Sequence, residues 1–109
     1  MDDVTAATAF AALGNEHRVA VLRMLVRAGE GGLNVTTIRE DLDLPPSTLA
    51  HHLRMLVDAG LVEQERIGRD LFSRPVPAVI RSLNAFLTED CCNGVFPSSR
   101  RMGNPNHLL

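Results

Sequence analysis

The chain has 109 residues, 45% of them hydrophobic and 4% aromatic, which makes one small domain with an aliphatic core and no separate catalytic unit. The formal net charge is −2, and every Lys/Arg position is arginine, so charge alone does not mark a nucleic-acid binder. No apolar run reaches the roughly 18 residues of a membrane span, and Met1-Asp2-Asp3 lacks the basic start of a signal peptide. The expected location is cytoplasmic, where two cysteines serve as metal ligands or free thiols rather than as a disulfide.

Asp2 to Leu13 is Ala-rich, with apolar positions at Ala6, Phe10 and Leu13 and a stop at Gly14, and it predicts a first helix. Asn15 suits the cap of a second helix, on which Val19, Leu22, Leu25, Val26 and Gly29 share a stripe while Arg18, Arg23 and Arg27 lean towards solvent. The run Gly29-Glu30-Gly31-Gly32 ends it. Asn34 can cap a short third helix with Val35, Ile38 and Leu42 at helical spacing. Pro45 and Pro46 cannot continue that helix, but Pro46 fits the first turn of a new one. The fourth helix runs from Ser47 to about Ala59, buries Leu49, Leu53, Leu56 and Val57, and stops at Gly60. Two helices joined by so tight a turn, with Leu44 plugging the corner, make a helix-turn-helix.

After Gly60 the period changes. Residues 62–66 and 70–74 are strand-like with Gly68 between them, which predicts a two-stranded β-hairpin wing. Pro75 and Pro77 break the second strand and open a last helix, with Val76, Val79, Ile80, Leu83 and Leu87 at i, i+3, i+4, i+7 spacing and Phe86 beside them. That stripe exceeds what the core needs and is assigned, with the first helix, to a dimer contact; its plainer use is to cover the monomer's own core. From Asn93 onward the chain is rich in Gly, Pro, Ser, Asn and Arg without periodicity and reads as a mobile tail. The expected fold is thus mainly α (α+β), a winged helix-turn-helix of about five helices and a hairpin. Residues 1–90 form the DNA-binding and dimerisation domain, and residues 91–109 carry a Cys-Cys pair and the tail.

In a helix-turn-helix the N-terminal half of the second helix enters the major groove. Opposite the Leu stripe stand Ser47, Thr48, His51 and Arg54, which can reach phosphates or base edges. Adjacent helical residues point about 100° apart, so His52 lies nearer the domain interior and is expected to hydrogen-bond there. In the wing, Arg66 and Arg69 flank Gly68 and can reach a phosphate or the minor groove. Arg74 either joins them or pairs with a nearby acid. Residues 44–74 hold four Arg against four acids, so the DNA assignment rests on pattern. No enzyme is expected: no nucleophile–base pair or phosphate loop appears, and His17 reads as a surface residue.

These segments together resemble the ArsR/SmtB family of metal-responsive winged-helix repressors. The resemblance spans about Phe10 to Cys92 and rests on Ala12-Leu13-Gly14-Asn15-Glu16-His17-Arg18, on Pro46-Ser47-Thr48-Leu49-Ala50-His51-His52-Leu53 with Leu56, on Ala59-Gly60-Leu61-Val62, and on Arg66 with Gly68-Arg69. It implies a homodimer that blocks its own operator and lets go when an inducer binds. Of the inducer sites known in the family, one needs two Cys around residues 33–37, where Asn34 and Thr36 stand, and another needs His along the last helix, which has none in residues 76–90. What remains, Phe86-Leu87-Thr88-Glu89-Asp90-Cys91-Cys92, is similar to the arsenic-responsive subgroup in which a vicinal Cys pair closes the final helix.

The resemblance therefore implies arsenic(III) or antimony(III) at Cys91 and Cys92 as inducer, with no cofactor required for folding. That subgroup adds a third Cys downstream; here Ser98 or Ser99 stands in that vicinity, which leaves room for solvent, an outside thiol or an organic group already on the arsenic. Thiolates are the ligands that soft ions select. The pair has other uses: as small apolar residues, as a redox-sensing pair, or as ligands for cadmium, lead or zinc with His107. A redox role sits poorly with Glu89, Asp90 and the helix C-terminus, which raise thiol pKa values. A winged helix used for protein interaction is the alternative to operator binding.

Overall fold

Side chains that satisfy helix ends fix most of the boundaries in the computed structural model, which describes residues 1–92. The Asp2 carboxylate accepts from the Thr5 amide at 2.7 Å and starts α1 (Asp3–Ala12). Asn15 accepts from the amides of His17 and Arg18 at 2.9 and 3.2 Å and starts α2 (Glu16–Ala28). Asn34 accepts from Thr36 at 3.0 Å and starts α3 (Val35–Leu42). Each cap occupies amides that the helix itself leaves without partners. The next helix, α4 (Pro46–Asp58), opens on a proline at its first turn, where the missing N–H removes nothing the helix needs. After the two long strands, α5 (Pro77–Thr88) opens in the same way on Pro77.

The corner between α3 and α4 is three residues long. Asp43 takes a left-handed conformation (φ 51°), Leu44 half-buries its side chain against the core, and Pro45 is extended and precedes α4. This is the helix-turn-helix that the prolines predict.

The wing departs from expectation by one strand. Three strands, β1 (Leu33–Asn34), β2 (Val62–Ile67) and β3 (Asp70–Pro75), form an antiparallel sheet in the order β1-β3-β2. The hairpin closes through Gly68 and Arg69, with Ile67 opposite Asp70 and Gly68 at φ 64°, the place a glycine takes at the first position of a two-residue turn. The unforeseen β1 pairs Leu33 with Ser73 and Asn34 with Phe72. Two residues are too short to show a strand period in sequence. Gly32 makes the pairing possible: it sits at φ 73°, and a Cβ there would collide with the carbonyl oxygen of Ser73.

The core gathers Ala6, Ala9 and Ala12 of α1, Val21, Leu22 and Leu25 of α2, Ile38 of α3, Leu49, Leu53 and Leu56 of α4, Leu61 and Val62, and Leu83 of α5. Two predicted stripes are corrected. On α1 Ala6 is buried and Leu13 half-buried against the core as predicted, but Ala9 and Ala12 complete the buried face and Phe10 is exposed. On α2 the inward face includes Val21, while Val19 and Val26 (52% exposed) turn outward. Val57 is only half-buried, and on α5 only Leu83 is buried while Leu87 is 65% exposed. Apolar periodicity marks a face without saying whether it meets the monomer's core or something else. No helix among the described residues is long and apolar enough to cross a membrane. The expected tail, with Ser98, Ser99 and His107, lies outside the described residues.

Gly32→Ala should destabilise the protein by about 1–3 kcal/mol, because the left-handed backbone and the close carbonyl both oppose a side chain. Gly31→Ala, where nothing stands within 4 Å of the added carbon and φ is not positive, is the control. Urea unfolding of both variants checks the contrast.

Candidate nucleic-acid interface and thiol site

The Leu stripe that seats α4 dictates which residues it leaves outside. Leu49, Leu53 and Leu56 face inward, so Ser47, His51 and Arg54 are exposed at i, i+4 and i+7 on the opposite face, with Thr48 half-buried beside them. No side chain caps the first turn of α4, and no acid stands in it. Its free amides point outward at the positive end of the helix dipole, as anion-binding helix starts do. On the hairpin, Arg66 and Arg69 are exposed. Arg66 falls on the opposite strand face from Glu63 and Glu65, since side chains alternate along β2.

Arg74 resolves to its second alternative. Its Nη2 donates to Glu65 Oε1 across the hairpin, and the partner carboxylate raises the already high pKa of the guanidinium. One arginine and one acid of the 44–74 segment are thereby spent on each other, which leaves Arg54, Arg66 and Arg69 as its outward cations.

The largest correction concerns Arg18, which sequence places towards solvent. It is half-buried: Nε donates to the Ala12 carbonyl at 2.6 Å, and Nη1 donates to His52 Nδ1 at 3.2 Å. One guanidinium thus links the end of α1, the start of α2 and the middle of α4. Arginine has no acceptor, so His52 accepts at Nδ1 and is neutral with its proton on Nε2. His52 is 7% exposed. Burial lowers its pKa below the usual 6.5, and Arg18, His17 and His51 add to the effect. The rings of His17 and His51 lie 5.7 and 5.9 Å from that of His52. The position of His52 was legible, because 49, 52, 53 and 56 follow helical spacing. Nothing in the sequence pairs it with Arg18.

The two thiols lie just beyond α5 rather than closing it. Thr88 is the last helical residue, Glu89 is extended (ψ 143°), and the Cys91 amide donates to the Thr88 carbonyl at 3.0 Å. Asp90 and Cys92 both take positive φ (59° and 69°). Both thiols are free and exposed, with the sulfurs 3.1 Å apart. The pKa of Cys91 is raised, as expected, but chiefly by the hydrogen bond and charge of Cys92 rather than by Glu89 and Asp90. At metal–sulfur bonds of about 2.3 Å, sulfurs this close subtend roughly 85° at an ion, whereas a tetrahedral ion would hold them about 3.8 Å apart. Among the described residues no third His, Cys, Asp or Glu joins the pair.

The architecture is that of a winged helix-turn-helix, and comparison with known proteins agrees. A helix-turn-helix domain family matches residues 13–65. A helix-turn-helix-type transcriptional regulator of Methanocaldococcus jannaschii is 36% identical over 63 residues, covering 58% of this chain and 68% of its own. The AntR antimony-specific transcriptional repressor superposes with a TM-score of 0.59 at 30% identity, over 74% of this chain and 72% of that one. The homodimeric winged helix-turn-helix DNA-binding domain of a possible ArsR-family transcriptional regulator from Mycobacterium bovis gives a TM-score of 0.65 at 25% identity, over 79% and 83%. The chain belongs to the ArsR family of winged-helix transcriptional regulators, and it is not an enzyme.

Because Cys92 is the main cause of the raised Cys91 pKa, Cys92→Ser should shift the midpoint of Cys91 alkylation by iodoacetamide to lower pH. A pH profile of alkylation rates, followed by mass spectrometry, checks the direction.

Proposed function

We propose that the protein is a repressor that binds operator DNA as a homodimer and is released when trivalent arsenic or antimony is captured by Cys91 and Cys92. The observation that carries the inducer assignment is the pair of exposed sulfurs 3.1 Å apart, immediately after the helix that packs on α1. The likeness to an antimony-specific repressor supports the same chemistry. Ser47, Thr48, His51 and Arg54 read the major groove from α4, while Arg66 and Arg69 hold the neighbouring backbone from the wing. The protein acts in the cytoplasm, where its operator lies.

Dimerisation through α1 and α5 is supported by the apolar side chains these helices leave exposed: Val4 (75%), Phe10 and Leu87. In this reading residues 1–90 are the DNA-binding and dimerisation unit, and the Cys pair with the tail is the sensor. A dimer must present its two reading helices one DNA turn, about 34–36 Å, apart. An ion bound where α5 ends alters the setting of α5 on α1, and with it that spacing. Coupling of about 1–3 kcal/mol is enough to release DNA. Two thiolates without a third suit an arsenical already carrying a methyl group. Cadmium, lead or zinc would need further ligands, and no such group is found among the described residues.

A gel shift with the DNA upstream of the chain's own coding sequence tests this. Binding should be lost on adding arsenite, methylated trivalent arsenic or antimonite, with the methylated form effective at the lowest concentration. Cys91→Ser and Cys92→Ser should bind DNA as before and ignore all three; release of either variant by the inducers would sink the sensor assignment. Arg66→Ala and Arg69→Ala should each lower the slope of log K against log salt by about 1, and a salt-insensitive interaction would instead favour a protein partner.

A further inference from the structure

On α4 the buried His52 meets a permanent cation, the Arg18 guanidinium. Arg18 donates to its Nδ1 at 3.2 Å and to the Ala12 carbonyl at 2.6 Å, so the bond requires a neutral ring. The groups acting on His52 are Arg18 and His17 from α2 and His51 on its own helix. Arg18 also bonds the neutral Ala12 carbonyl at the end of α1. No carboxylate among them compensates a second positive charge.

We propose that Arg18 and His52 are positioning residues for the reading helix, and that protonation of His52 breaks their hold and loosens the grip on the operator in acid. A protonated ring can no longer accept from Arg18 and places two cations in contact inside a half-buried corner. The guanidinium must then leave, and α4 loses its polar tie to both α1 and α2. Ser47, His51 and Arg54 are presented to DNA by that same helix, so their common orientation depends on the tie. This inference rests on the operator-binding reading above.

The direction in pH follows from linkage. The unfolded ring titrates near 6.5 and the folded ring lower, so the unfolded chain binds more protons between those values. The contribution of His52 is complete above 6.5 and is lost as pH falls through the folded value. Positive charge gained on the outward face of α4 strengthens binding to phosphates rather than weakening it. A net loss of affinity in acid therefore reports the buried ring.

The test measures affinity for the upstream duplex at fixed salt from about pH 7.5 down to about pH 5, where the wild type should weaken about three- to tenfold. His52→Gln, whose amide oxygen still accepts from Arg18 and carries no titrating proton, should show less than about a twofold fall across the same range. NMR titration of the wild-type His52 ring should give a lower pKa in the DNA complex than in the free protein, as reciprocity requires. Equal pKa values free and bound, or an affinity that holds or rises in acid, would overturn the inference and leave operator binding standing. Failure to bind the duplex even at about pH 7.5, where the His52 ring is neutral, would overturn both.

Discussion

The guanidinium of Arg18 makes hydrogen bonds in two directions, one to the last carbonyl of α1 and one to a histidine inside α4. Its own amide is in turn held by the Asn15 cap. Three helices thus meet at one planar group whose donors lie in a fixed fork. Hydrophobic contacts bring the helices together but allow sliding, because they are not directional. The fork sets the rotation of α4 relative to α1, and α1 is the helix on which α5 packs. The same α1 thus touches both the helix that carries His52 and the helix that ends short of the thiols.

Small side chains make that geometry available. Ala6, Ala9 and Ala12 are nearly inaccessible on α1, so the helix lies close against α4 and α5 with little bulk between backbones. The larger residues of α1, Val4 and Phe10, face outward. The helix thus has an alanine face for its own domain and an aliphatic–aromatic face for something else. A chain with net charge −2 can still serve DNA because its cations are placed rather than numerous. Arg74 and Glu65 neutralise one another across the hairpin, whereas Arg54, Arg66 and Arg69 remain turned outward.

Local chemistry was readable wherever one residue decides the outcome. The asparagines at 15 and 34 and the prolines at 45, 46 and 77 set helix starts through one or two local hydrogen bonds or a fixed φ, and the structure follows them. The helix-turn-helix and the outward face of α4 come from those starts and the Leu spacing. What was not readable depends on partners distant in sequence. Leu33-Asn34 is a strand only because β3 is there to receive it. Arg18 is drawn inward by a ring 34 positions away. Phe10, Val19 and Val26 satisfy helical periodicity as well as the buried residues do, and only the packed domain shows which face is enclosed. The thiols were visible as a pair, but their place beyond the helix depends on Glu89 leaving helical geometry.

The third strand has a consequence for the thermodynamics of association. An isolated two-stranded hairpin is marginally stable in water, and a wing of that kind would be ordered only on meeting DNA. Here β3 is hydrogen-bonded on both edges at its base, by Leu33-Asn34 on one side and β2 on the other. Ser73 is fully buried there and bonded to Gln64 at 2.9 Å. Ordering backbone costs about 1–2 kcal/mol per residue. For the base of this wing that entropy is surrendered when the chain folds, so docking on a duplex draws on it no further.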